Sequence, residues 1–195
     1  MEINAQLVKE LRDKTGVSFG KCKEALVETG GDLAKAEDFL KKQGAKIAAK
    51  KADRQTSQGL VEAYIHASGK IGVLVELLCE TDFVARNETF KEMSHDIAMH
   101  IAAMDPRYTG REDVPEEVLS KEKGIFKEQV KSEGKPAEVA DKIVEGKMDK
   151  YLAEICLLEQ PFIKDPSLTI GKVIEEKITK LGENIKIGKF VRFSI

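Results

Sequence analysis

The feature that most constrains the fold is a change of hydrophobic period at Leu60. Before it, apolar residues recur at helical spacing. From Leu60 onward, the stretch LVEAYIHA, the turn SGK and the run IGVLVELLCE predict two strands joined by a glycine-containing turn. The second run is apolar at nearly every position, which predicts a central strand covered by helices on one face. Helices before and after such strands indicate an α+β fold.

Before this change, the sequence predicts a module of three short helices within residues 1–44. Asn4, Ser18 and Asp32 each stand before apolar residues at helical spacing, where a short polar side chain can cap the free N–H groups of a helix. Glycines follow each helical run, and the third helix is predicted to end near Gly44. Three helices of this length form a compact module with a small core.

The rest of the chain is predicted to contain a linker and a larger α+β unit. Residues 45–58 are rich in alanine and lysine and then polar, which predicts a solvated helical or loose linker. Within the second unit, residues 59–195, two charged helices at about 115–155 are expected to pack as an antiparallel hairpin around a turn at 133–136. A helix from about Thr169 to Leu181 and an alternating final stretch complete an antiparallel sheet of about three strands.

Charge and motif content narrow the functional classes. The net charge is −2, so bulk electrostatics do not favour a polyanionic partner. The lysine-rich stretch 41–54 has no interleaved aromatic residues, and no nucleic-acid partner is expected. The three cysteines form no CxxC pair and are not spaced with the histidines as zinc ligands, so no metal site is predicted. A GxxxxGK[ST] loop is absent, and direct nucleotide binding is not expected.

Targeting signals and cysteine usage point to one compartment. The opening residues do not show the basic and then apolar pattern of a signal peptide, and no apolar run is long enough to span a bilayer. Cys79 and Cys156 lie in apolar runs and are predicted to be small core residues. These observations predict a cytoplasmic protein that does not contact membranes.

Four separated motifs, in order along the chain, resemble the elongation factor Ts family. They span Val8 to Leu26, Thr81 to Phe90 (TDFVARNETF), His95 to Tyr108, and Ser132 to Tyr151 followed by Leu157 to Ile174. The resemblance covers nearly the whole chain, and it implies an N-terminal module similar to ubiquitin-associated domains. It also implies a guanine-nucleotide exchange factor, not an enzyme and without a cofactor, that binds GDP-loaded elongation factor Tu and promotes GDP release so that GTP can rebind.

The motif at Asp82 and Phe83 carries the strongest functional hypothesis. A phenylalanine just past a buried strand often turns into the core. Here the preceding aspartate and the nearby helix cap at Asn87 favour a tight corner that faces solvent. A rigidly held aromatic side chain makes a good wedge, because it loses little entropy on binding and buries a large apolar area. In the family, the matching phenylalanine enters the GTPase near the nucleotide, and Asp82 is expected to position the corner.

Other residues are predicted to contact the partner for separate reasons. The resemblance extends to the start of the second helix, with Val17, Phe19 and Lys23, and to His100, beside which the sequence shows no nucleophile. In the predicted hairpin, Gly72 permits close approach of another backbone. The complete set of predicted partner-binding residues is Asp82, Phe83, Thr81, Val84, His100, Ile71, Gly72, Val17, Phe19 and Lys23.

The number of core subdomains predicts the oligomeric state. Long members of the family carry two similar core subdomains in tandem, whereas this chain has room for one and resembles the short members. A single small sheet is expected to leave an open edge or an apolar face. The sequence therefore predicts a homodimer in which residues 59–195 supply the dimerisation domain, and a complex of two factors with two GTPases.

Two other functional classes are open at this stage. One is a ubiquitin-associated-like adaptor that binds RNA or nascent chains, which would leave the TDFVAR motif without a role. The other is a Cys–His hydrolase, which would need Cys79 or Cys156 beside His66 or His100 in an open cleft.

Overall fold

The structure, a computed structural model, describes residues 3–133 and 136–195; residues 134 and 135 of the predicted turn and the first two residues lie outside this range. The helices are α1 (Ala5–Thr15), α2 (Phe19–Glu28), α3 (Leu33–Lys51), α4 (Asp82–Ala85), α5 (Glu88–Met104), α6 (Glu116–Ser132), α7 (Ala137–Ile155) and α8 (Ile170–Leu181). The strands are β1 (Gln58–Ile65), β2 (Ile71–Cys79), β3 (Pro161–Phe162), β4 (Asp165–Thr169) and β5 (Ile185–Ser194). The predicted α+β class is confirmed.

Local signals mark the starts of α1 and α3 and the end of α1, whereas Ser18 forms no side-chain capping bond at the start of α2. The side chain of Asn4 accepts a hydrogen bond from the N–H of Leu7 at 2.9 Å, and Asp32 accepts one from Lys35 at 3.1 Å. Gly16 ends α1 in the left-handed conformation that glycine adopts without strain. The module has its own core, formed by Val8, Leu11, Cys22, Ala25, Leu26, Ala36 and Leu40.

The third helix is longer than predicted. It continues through Gly44 to Lys51, so the predicted end near Gly44 is wrong. The residues that follow Gly44 are mostly alanine and lysine, which are strong helix formers. Gly44 is buried against α8, where an added Cβ would lie 3.0 Å from the Thr179 Oγ1 atom. The glycine therefore permits a close helix crossing, and the start of the predicted linker is helical; the division into three segments stays a prediction.

The larger core lies beneath a three-stranded antiparallel sheet in the order β1-β2-β5. Residues of β2 alternate strictly, and Val73, Val75, Leu77 and Cys79 are buried beneath the sheet. Helices α5 and α8 supply the opposing side chains, among them Phe90, Ile97, Ile101, Ile170 and Ile174. The predicted sheet is confirmed, while the small hairpin of β3 and β4 was not predicted.

The other side of this sheet is apolar and uncovered. We call it the outer sheet face, and it consists of Val61, Ile65, Leu74, Val191 and Phe193, all of which are exposed. The strand register groups most of these side chains, because Leu74 pairs with Val191 and Gly72 pairs with both Ile65 and Phe193, while Val61 stands at the edge of the group opposite Glu76. A contiguous exposed apolar patch commonly marks an interaction surface.

Helices α6 and α7 form the predicted antiparallel hairpin. Phe126 and Tyr151 meet edge to face with ring centroids 6.3 Å apart, and Lys147 Nζ donates to Gln129 Oε1 at 3.2 Å. Arg111 fixes the base of the hairpin, since its guanidinium bonds Asp149 at 2.8 Å and Glu159 at 2.7 Å. Among the residues that the structure describes, no helix is both long and apolar enough to cross a membrane.

Candidate functional site

The TDFV motif forms a solvent-facing corner between β2 and α5. Helix α4 is a single turn, and its cap residue Thr81 accepts a hydrogen bond from the N–H of Val84 at 3.4 Å. Val84 and Ala85 pack against the core, whereas Phe83 is 81% exposed. The corner thus holds an aromatic side chain in water on a backbone that is anchored from below.

Asp82 adds a charged group at the same turn. Its carboxylate forms an ion pair with Arg86 at 3.0 Å, one helical turn further along the chain. Both side chains are largely exposed, so this pair contributes little to stability. Asp82 therefore lies where a partner that binds Phe83 would also meet a carboxylate.

Glu183 holds the backbone that leads into the corner. Its carboxylate accepts hydrogen bonds from the N–H of Glu80 at 3.1 Å, from the N–H of Thr81 at 3.0 Å and from the Thr81 hydroxyl at 2.6 Å. Sequence reasoning missed Glu183 because it lies 102 residues from Thr81 in the chain. No local pattern signals such a contact.

A second set of hydrogen bonds joins the end of α3 to the same region. The N–H of Asn184 donates to Glu80 Oε1 at 2.6 Å and lowers the pKa of the Glu80 carboxyl. The side-chain amide of Asn184 donates to the carbonyl oxygens of Ala52 and Arg54, at 3.3 and 2.9 Å. The strand end before the corner is therefore connected both to α8 and to the N-terminal helices.

Thr81 itself is fully occupied within the chain. Its N–H and hydroxyl donate to Glu183, its hydroxyl accepts from Val84, and its carbonyl oxygen accepts from the Cys79 thiol at 3.1 Å and from the N–H of Ala85 at 3.2 Å. Thr81 was predicted to bind the partner, but its polar groups are engaged in shaping the corner. Its place in the structure favours a positioning role.

The N-terminal module presents a second exposed surface. Phe19 is 46% exposed, Lys23 is exposed in the middle of α2, and Val17 is half-buried in the segment just before the helix. Val27 is 58% exposed and continues the row, since residues four apart share one face of a helix. Sequence reasoning missed Val27, although its spacing from Phe19 and Lys23 was a usable signal.

The structure corrects the prediction for His100. Its side chain is fully buried, its Nε2 atom lies 3.0 Å from Gln160 Oε1, and its Nδ1 atom accepts the N–H of Ile163 at 3.4 Å. Burial lowers the pKa of the imidazole, which fits a neutral ring with one donor and one acceptor nitrogen. A direct partner contact by His100 is therefore wrong, because the segment around Gln160 covers this side of α5.

Ile71 and Gly72 lie far from the corner. They begin β2, whereas Thr81 follows its end, and a strand of nine residues at about 3.3 Å per residue separates the two regions by roughly 25 Å. Gly72 faces the outer sheet face, where an added Cβ would lie 3.0 Å from Ile65 Cδ1. The structure therefore does not bring these two residues together with Phe83.

The buried thiols bear on the hydrolase alternative. Desolvation by burial raises the pKa of Cys79 and of Cys156 to about 11 in each case. A thiol with such a pKa is protonated at neutral pH and is a poor nucleophile. The arrangement offers no support for thiol chemistry at either position.

Comparison with known proteins agrees with the sequence resemblance. The family model described as elongation factor TS matches residues 2–195. Elongation factor Ts of Coprothermobacter proteolyticus is 57% identical over 195 residues, which cover 100% of this chain and 99% of that protein. Elongation factor Ts of Solibacter usitatus is 55% identical over 194 residues, covering 100% of this chain and 92% of that protein.

An α+β chain with these motifs and these relatives falls in the class of translation elongation factors. A third relative, elongation factor Ts of Fervidobacterium nodosum, is 54% identical over 195 residues, which cover 100% of this chain and 99% of that protein. The chain belongs to the elongation factor Ts family.

Proposed function

We propose that this protein binds the GDP-loaded form of the GTPase elongation factor Tu in the cytoplasm and promotes GDP release. It makes and breaks no covalent bond, and GTP rebinds once GDP has left. The observation that carries the proposal is Phe83, an aromatic side chain 81% exposed on a hydrogen-bonded corner. Membership of the elongation factor Ts family supports it.

Exchange follows from differential binding. A GTPase that holds GDP at nanomolar strength has a binding free energy of about −12 kcal/mol, so spontaneous release is slow. An exchange protein that prefers the nucleotide-free GTPase lowers the affinity of the GTPase for the nucleotide. By the same ratio, the nucleotide lowers the affinity of the GTPase for the exchange protein. Burying most of the Phe83 ring contributes about 2–3 kcal/mol. That contribution promotes exchange only if the ring enters a space that opens when the nucleotide site is empty.

The surface of the N-terminal module supplies a second attachment. Val17, Phe19, Lys23 and the adjoining Val27 form a small apolar surface with one positive charge. This surface binds the same GTPase and holds the factor in place while Phe83 enters. Asp82 and Val84 act beside Phe83, and Ile71 and Gly72 make a separate contact at the far end of β2.

The outer sheet face supplies a homodimer interface. Its five exposed apolar side chains lie on one small sheet, and an identical face on a second copy would cover them. Two such sheets packed face to face form a sandwich with a common core. The functional complex then contains two factors and two GTPases.

Stopped-flow release of a fluorescent GDP from elongation factor Tu tests the proposal. Phe83→Ala should slow the stimulated rate at least tenfold, since the lost burial of about 2–3 kcal/mol exceeds the roughly 1.4 kcal/mol that a tenfold change requires. Met104→Ala removes another exposed apolar side chain, at the end of α5, and should leave the rate unchanged. Equal rates for the parent protein and Phe83→Ala would refute the wedge.

A further inference from the structure

The corner that carries Phe83 is held by a residue from a distant part of the chain. Glu183 lies between Gly182, which ends α8, and Asn184, just before β5. Its carboxylate accepts three hydrogen bonds, and all three donors belong to Glu80 and Thr81, the residues just ahead of α4. Within the described residues, no salt bridge joins Glu183 to a basic side chain. Its hydrogen-bonding capacity is therefore directed to the corner.

The hydrogen bond to the Thr81 hydroxyl sets the direction of the helix cap. The Thr81 hydroxyl oxygen lies 2.6 Å from Glu183 Oε1. Because a carboxylate oxygen can only accept a hydrogen bond, the hydroxyl donates its proton to it. Its lone pairs then face the N–H of Val84, which is the capping bond of α4. The orientation of α4, and with it the direction in which Phe83 points, thus depends on the carboxylate of Glu183.

We infer that Glu183 is a positioning residue for Phe83: it keeps the corner in the geometry that enters the partner before the partner arrives. This inference rests on the proposed function of Phe83 as the wedge. Without the carboxylate, two backbone N–H groups and one hydroxyl lose their acceptor, and the backbone at Glu80 and Thr81 gains freedom. The entropy lost when the backbone of one residue becomes ordered on binding lowers an equilibrium or rate constant about tenfold. A loosened corner should therefore lower the stimulated rate of GDP release by about that factor.

The same GDP-release assay, at several factor concentrations, tests the inference. Glu183→Ala should lower the maximal stimulated rate about tenfold with little change in the half-saturating concentration, because the N-terminal module still binds. Glu183→Gln keeps one carbonyl oxygen for the two N–H groups but turns an NH2 group towards the Thr81 hydroxyl, so it should recover part of the rate and stay below the parent. Asp165→Ala is the matched control: Asp165 also accepts a backbone N–H and a hydroxyl, both from Ser167, but in the β3–β4 hairpin. It should leave the maximal rate unchanged.

Combination with Phe83→Ala separates positioning from general stability. In the Phe83→Ala background, Glu183→Ala should lower the rate less than twofold further, because there is no ring left to position. An equal loss with and without Phe83 would overturn the inference, as would a full rate for Glu183→Ala. If Phe83→Ala alone has no effect, the proposed function fails instead. Should Glu183→Ala not fold, as judged by circular dichroism, the same comparisons with Glu183→Gln decide, and a Gln variant at the parental rate would count against the inference.

Discussion

A charge at the centre of the outer sheet face should abolish the proposed homodimer. Leu74 lies on β2, the central strand, and is 45% exposed, so Leu74→Glu leaves the buried side of the sheet unchanged. Each copy loses about 1 kcal/mol of apolar burial and gains a carboxylate whose desolvation costs several kcal/mol. Because both copies carry the change, the loss doubles. A total of at least about 8 kcal/mol weakens association by roughly a hundred-thousandfold or more.

Sedimentation equilibrium at micromolar concentration measures this effect directly. The parent chain should sediment as a dimer and Leu74→Glu as a monomer with unchanged far-ultraviolet circular dichroism. Met104→Glu is the control, since Met104 is exposed to a similar extent, 43%, but lies at the end of α5. A parent chain that is monomeric at these concentrations, or a Leu74→Glu variant that still dimerises, would refute the assignment of this face.

Two further predictions concern stability. Burial lowers the pKa of His100, so its neutral form stabilises the fold above the ordinary histidine pKa of about 6.5 and this stabilisation is lost as pH falls from there towards the folded-state pKa. The loss should be at most about 1.4 kcal/mol per pH unit in urea unfolding; a pH dependence unchanged in His100→Asn would assign it elsewhere. Gly44→Val should destabilise the fold by about 1–3 kcal/mol, because the side chain meets Thr179. In the same thermal unfolding measurement, Gly124→Val, whose added Cβ meets no atom within 4 Å beyond its own helix backbone and chain neighbours, should not destabilise the fold, and equal effects of the two changes would contradict the close crossing.

Local signals predicted most of the elements because their causes are local. Asn4, Asp32 and Asn87 cap helices through bonds to residues two or three positions away, so the sequence pattern contains the whole interaction. The nearly continuous apolar run of β2 likewise predicted a central strand covered by helices on one face, and the burial of alternate residues agrees with this. The exposed position of Phe83 could be predicted for the same reason, since the strand end and the next helix cap are close to it in the chain.

The errors arose where tertiary contacts decide. Gly44 resembles a helix end, but the strong helix formers after it and the close contact with Thr179 keep the helix continuous. His100 lies on the apolar side of an amphipathic helix, and only the packing of Gln160 and Ile163 against it shows that it is buried. Glu183 had no signal at all, because its partners are more than one hundred residues away in sequence.

The continuity of α3 has a consequence for exchange. Its first half contributes Ala36 and Leu40 to the core of the N-terminal module, and Ala48 in its second half belongs to the core beneath the sheet. A helix of 19 residues is roughly 28 Å long and stiff. The core beneath the surface around Phe19 and the core beneath the corner around Phe83 therefore share one rigid helix. In the proposed complex, binding by the first surface would then present the second at a high effective concentration and in a fixed direction, which a flexible connection of the same length would not do.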